Sequence, residues 1–106
     1  MATTVPSATI DARKTRVLAR FTPASNVTPE QYDETIRRLE KVGNWPPQGL
    51  DYHVAFKSNG KFRVSEIWDS REQFEAFGQR LMPVLKEVGI EPGEPEMLEI
   101  HNIIKR

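Results

Sequence analysis

The residues best suited to proton chemistry in this 106-residue chain are two histidines and a few carboxylates, and one pair is singled out by its place in an expected hairpin. Leu50 to Lys57 alternates apolar and polar residues, and a second strand is expected over Lys61 to Trp68. Between them Asn59-Gly60 is a hairpin turn signal, because both positions tolerate positive φ. A two-residue turn sets Ser58 opposite Lys61. Ala55 then faces Val64, His53 faces Glu66 and Asp51 faces Trp68. Directly opposed side chains stand about 5 Å apart at Cβ. His53, Glu66, Trp68 and Asp51 would share one face, and a slip of one residue would scatter them.

An imidazole suits proton transfer near neutral pH, and a carboxylate partner fixes its tautomer. His53 and Glu66 are therefore the candidate catalytic pair, with an ordinary cross-strand ion pair as the alternative. Trp68 offers a large flat surface and one N–H donor, which suits a planar ligand; the alternative is a core tryptophan with its N–H satisfied internally. Tyr32 and Phe77, from the two expected helices, could line the same space or serve simply as helix stripe. His101, on the last expected strand, stands roughly 14 Å from His53 at about 4.8 Å per strand, too far to share a metal. No His-x-x-x-His, phosphate loop, GxSxG or Walker pattern occurs, and no metal or other cofactor is expected.

These side chains need elements to hold them. Arg16 to Phe21 reads as a first strand with Val17, Ala19 and Phe21 on one face. Thr28-Pro29-Glu30-Gln31 opens a helix: Thr28 caps, Pro29 suits the first helical position, and Gln31 completes a capping box. Tyr32, Ile36, Leu39 and Val42 form its stripe, and Gly43 ends it. Ser70 caps a second helix with Gln73 three residues on, and Phe74, Phe77, Leu81, Leu85 and Val88 form the buried stripe. Pro83 should break or kink that helix into two pieces meeting near Leu81 to Pro83, and Gly89 should close it. Asn44 to Gly49 cannot be helix or central strand, with Pro46 and Pro47 adjacent. The last strand is expected over Met97 to Ile104.

Composition bounds the rest. Lys+Arg and Asp+Glu number 15 each, which argues against a nucleic-acid binder. The absence of cysteine excludes disulfides, a thiolate nucleophile and cysteine-ligated metal. No apolar run is long enough to span a membrane. Residues 1–14, rich in Ala, Thr and Ser, read as a flexible leader with no secretion-type apolar segment, and residues 15–106 as one domain. A cytoplasmic protein is expected.

Strand, helix, strand, strand, helix, strand is the order of the ferredoxin-like α+β fold, with an antiparallel four-stranded sheet in order 4-1-3-2 and both helices on one face. Tyr52, Val54 and Phe56 lie on one side of the central hairpin and Phe62, Val64 and Trp68 on the other. A face left bare by the helices should be polar. Its apolar character predicts a second copy of the sheet, a two-fold homodimer.

The stretch Trp68-Asp69-Ser70-Arg71-Glu72-Gln73-Phe74-Glu75-Ala76-Phe77 resembles the Trp-x-Ser-x-x-x-Phe-x-x-Phe signature of dimeric α/β-barrel proteins akin to antibiotic-biosynthesis monooxygenases. Glu66-x-Trp68 and Glu99-Ile100-His101-Asn102 also look like that group. The resemblance implies a dimeric α/β barrel and a pocket between sheet and helices, bordered by the motif tryptophan. The superfamily includes cofactor-free oxygenases, haem-degrading enzymes, lactone isomerases and proteins without assigned activity. The haem degraders also need a histidine in the second helix and an asparagine in the first strand, and neither occurs here. Chemistry does not follow from fold. The expectation is a dimer that binds a small apolar or aromatic molecule and could oxidise it without a cofactor, with His53 as base, Glu66 as its orienter, and Trp68, Tyr32 and Phe77 as walls. A non-catalytic ligand-binding or stress-related dimer and a lactone-type isomerase are the alternatives.

Overall fold

Asn59 and Gly60 both adopt positive φ, 53° and 79°, and close the hairpin between β2 (Leu50–Ser58) and β3 (Lys61–Trp68) as a two-residue turn. The register runs from Ser58 opposite Lys61 to His53 opposite Glu66, as the turn dictates. At the far end it departs from the simple count. A bulge between Leu50 and Tyr52 sets Leu50, not Asp51, opposite Trp68. The slip buries an apolar side chain in place of a carboxylate, since Leu50 packs on the core. Asp51 is paired instead with Arg16 and, at 3.4 Å, with Lys105, so it does not join His53, Glu66 and Trp68. The Asp69 N–H donates to the Gly49 carbonyl at 2.8 Å and holds this end of the hairpin in the shifted pairing.

A computed structural model describes residues 15–106, and the expected leader over 1–14 lies outside the described residues. β1 (Val17–Phe21) pairs antiparallel with β3 on one side and with β4 (Glu96–Glu99) on the other. The resulting order, β2-β3-β1-β4, is the expected ferredoxin-like arrangement. β4 is shorter than its alternation predicts. Glu99 stands opposite Val17, the first residue of β1, and Ile100 N–H makes one more bond, to Arg16 O at 3.2 Å. Past that point the ladder has no partner strand, so His101 and Asn102 lie outside the sheet and exposed.

α1 (Pro29–Lys41) begins with a capping box: the Gln31 N–H donates to Thr28 Oγ1 at 3.1 Å, and the Thr28 N–H to Gln31 Oε1 at 3.0 Å. The Gln31 amide Nε2 donates onward to Val88 O at 3.3 Å, tying the start of α1 to the end of α2 (Arg71–Val88). Thr35 and Leu39 are the buried residues of α1, while Val42, placed in the stripe by spacing, is 64% exposed. It is the C-cap residue, already leaving the helical path as the chain turns at Gly43, φ 78°.

α2 is continuous through Pro83, contrary to the expected break. Pro83 and Gln79, whose carbonyl loses its donor, both face outward, where solvent can satisfy that carbonyl. Phe77 and Leu85 remain buried on the inner side, so the stripe is not interrupted. Both helices cover the sheet face carrying Val17, Ala19 and Trp68, which form the core with Leu39 and Phe77. The opposite face carries an apolar row across all four strands, since Tyr52 stands opposite Ile67, Ile67 opposite Leu18, and Leu18 opposite Leu98. Val54, one step along, is 50% exposed.

Candidate active site

Three elements bring four polar side chains into one chain of contacts. β2 and β3 set His53 directly across from Glu66, and His53 Nδ1 lies 2.6 Å from Glu66 Oε2. Two residues further along β3, on the same face, Trp68 Nε1–H donates to Glu66 Oε1 at 2.9 Å. The first turn of α1 carries Tyr32 over the sheet, where its hydroxyl meets His53 Nε2 at 2.7 Å. Glu66 is 5% exposed and Trp68 fully buried, so this carboxylate is held among fixed donors in place of water.

The proton positions follow from the inventory. Trp68 can only donate, so it takes one carboxylate oxygen of Glu66. With Glu66 as carboxylate, His53 carries its proton on Nδ1 and donates to the other oxygen. The imidazole Nε2 then accepts, and the Tyr32 O–H donates to it. Burial pushes the Tyr32 phenol above its ordinary value of 10.0, and the negative charges of Glu66 and Asp33 push the same way, so the hydroxyl holds its proton.

The chain opens on a cavity of about 90 Å³ between the sheet and the two helices. A single water needs roughly 10–15 Å³ of such space, so this volume takes several waters or a small ring compound. His53, Glu66, Tyr32 and Phe77 all line it, the last from α2 beside Leu81 and Leu85. Trp68 does not. It lies behind Glu66, packed against Phe74 and Phe77 at ring-centre distances of 5.7 Å each, with its N–H spent on the carboxylate. Its position makes it a support for Glu66 and not a wall for a ligand.

The tryptophan that does face the cavity is Trp45, from the loop ahead of β2. Its ring stands edge-on to His53, 4.9 Å between centres and 88° between planes. The sequence signal for it was weak: a large apolar side chain beside two prolines in a polar loop, with no periodicity to say which way it turns. Phe62 completes the aromatic surround, 5.2 Å from the Tyr32 ring. Thr35 also lines the cavity, its hydroxyl donating to Gln31 O at 2.9 Å. Among the described residues no group of three or more His, Cys, Asp or Glu is placed to hold a metal ion, and no helix is long and apolar enough to cross a membrane.

Neither a protein-family model nor a curated protein matches the chain. Solved structures do match, by fold. SnoaB from Streptomyces nogalater, a cofactor-independent oxygenase, superposes with a TM-score of 0.55 at 13% identity, covering 87% of this chain and 97% of that one. A candidate antibiotic biosynthesis monooxygenase from Caulobacter crescentus CB15 gives a TM-score of 0.57 at 16% identity, covering 86% and 94%. A similar candidate from Deinococcus radiodurans gives 0.55 at 14%, covering 85% and 97%. The chain has the fold of these antibiotic-biosynthesis-monooxygenase-like structures. At such identities the likeness speaks for the architecture alone.

Proposed function

We propose that this protein binds a small apolar or aromatic molecule between its sheet and helices and oxidises it with molecular oxygen without a cofactor. The observation that carries this reading is the Tyr32–His53–Glu66 chain of hydrogen bonds ending at an otherwise apolar cavity. A carbon acid held there loses a proton to the Tyr32 oxygen as Tyr32 passes its own to His53 Nε2. The proton goes through Tyr32 because its hydroxyl already occupies Nε2. Glu66 steadies the imidazolium that results, and Trp68 steadies Glu66.

The deprotonated substrate is itself the reductant. A methylene between activating groups balances with a single dioxygen molecule. Both C–H bonds break and their electrons reduce the dioxygen. One oxygen atom forms the new carbonyl on that carbon, and the other leaves as water with both hydrogens. The protein contributes a base, orientation and a dry cavity. Cofactor-independent oxygenation is the chemistry of one protein that shares this fold, SnoaB. We further propose that two copies pair through the apolar outer face of the sheet, on which Tyr52, Val54 and Leu98 are exposed, and that the dimer works in the cytoplasm.

Oxygen uptake with a panel of polyphenols and of aromatic ketones that carry an activated ring methylene, in buffer containing a chelator, tests the chemistry. Uptake with at least one member, falling by about 10²–10⁴-fold in His53→Ala, is the expected result. Uptake with no member, or an undiminished rate in His53→Ala, overturns it. Proton exchange into a bound substrate without oxygen uptake would favour an isomerase.

A further inference from the structure

Apart from the indole N–H of Trp45, the hydrogen atoms of the cavity's polar side chains are committed within the protein. The Tyr32 O–H points to His53, the Thr35 O–H to the Gln31 carbonyl, and the His53 Nδ1–H to Glu66. Both oxygens of Glu66 are already engaged, by His53 and by Trp68. The bonds run in one direction: Tyr32 donates to His53, His53 to Glu66, and Trp68 closes the chain from the other side. A hydroxyl has two acceptor lone pairs beside its one donor. What Tyr32 and Thr35 present to a ligand is therefore acceptor oxygen.

The geometry points to selection for ligands that carry a hydrogen-bond donor: the cavity takes a small apolar ring compound bearing one O–H or N–H, which donates to Tyr32 Oη, and discriminates against isosteres that offer only an acceptor. This rests on the reading of the cavity as a ligand site and narrows it to one polarity. The reversed arrangement, with Tyr32 donating to a ligand carbonyl, would strip His53 Nε2 of its hydrogen bond from Tyr32 and break the chain that Glu66 anchors. A ligand that accepts without donating leaves the Tyr32 lone pair facing an apolar group, with no partner to replace water.

Phenol and fluorobenzene form a suitable pair of probes, since they match in shape and only the first can donate. Titrations followed by NMR on the full chain and on Tyr32→Phe give the phenol-to-fluorobenzene affinity ratio in each. That ratio should be roughly three- to tenfold higher in the wild type, because the variant keeps the ring and loses the acceptor. In the wild type alone, the Tyr32 ring carbon bearing the hydroxyl should shift on adding phenol and stay in place with fluorobenzene. Equal ratios in the two proteins, or the same Tyr32 response to both probes, overturn donor selection while leaving the ligand site standing. Binding of neither probe to the wild type overturns the site and this inference with it.

Discussion

Trp68 Nε1 lies 2.9 Å from Glu66 Oε1, although the two residues belong to one strand with Ile67 between them. Strand periodicity puts both on the inner face, and the long indole reaches back along the strand to the carboxylate. The contact explains how a glutamate only 5% exposed is tolerated: one oxygen is held from behind while the other stays available to His53. Trp68 thus serves the site without touching the cavity.

Trp68→Phe should cost about 2–4 kcal/mol of stability, the sum of lost packing volume and a buried carboxylate oxygen left without its donor. Chemical denaturation measures it. A change below about 0.5 kcal/mol would mean that the indole N–H contributes nothing to holding Glu66.

Glu66→Gln keeps the shape of the side chain and reverses the chain of hydrogen bonds. The amide carbonyl still accepts from Trp68, and the amide nitrogen now donates to His53 Nδ1, moving the imidazole proton to Nε2. The basic nitrogen next to Tyr32 is lost. Turnover of any substrate found in the oxygen-uptake panel should fall by about 10²–10⁴-fold with the fold intact by circular dichroism. An unchanged rate would remove His53 from the mechanism.

Tyr32 has a pH signature. Its phenol is raised above 10.0 by burial and by Glu66 and Asp33, so the folded state holds this proton more tightly than the unfolded chain does. The stabilisation is fully present below pH 10 and is lost as pH rises through the folded-state value. Between pH 10 and that value the wild type should lose stability more steeply than Tyr32→Phe, which has no phenol to ionise. Denaturation midpoints of both proteins across this range decide it, and parallel curves would contradict the assigned environment.

Val54→Lys places a charge on the exposed outer face, opposite Ser65 and next to the apolar row from Tyr52 to Leu98. Sedimentation should show a wild-type dimer and a monomeric variant of unchanged secondary structure. A wild type that sediments as a monomer at high concentration rules out the two-sheet assembly.

How far the fold could be read in advance depends on the range of the forces involved. The hairpin register was legible because Asn59-Gly60 imposes it locally, and the start of α1 because Thr28 and Gln31 satisfy each other within one turn. His53 opposite Glu66 followed directly. The Asp51 position was not legible, because the slip at Leu50 is held by a backbone bond from Asp69 to Gly49 and by a core that takes leucine in preference to aspartate. Pro83 misled because its cost falls on an outward carbonyl, and outward is a property of the packed helix pair. Trp45 sits in a loop without period, so its approach to His53 is set only by tertiary packing.

The central claim is that His53 presents an unprotonated Nε2 to Tyr32 at the cavity, with its proton held on Nδ1 by Glu66. Nitrogen-15 NMR of the imidazole in the wild type, at a pH where the ring carries one proton, reads this directly. The account predicts a protonated Nδ1 and a bare, hydrogen-bonded Nε2; a ring protonated at Nε2 would contradict it.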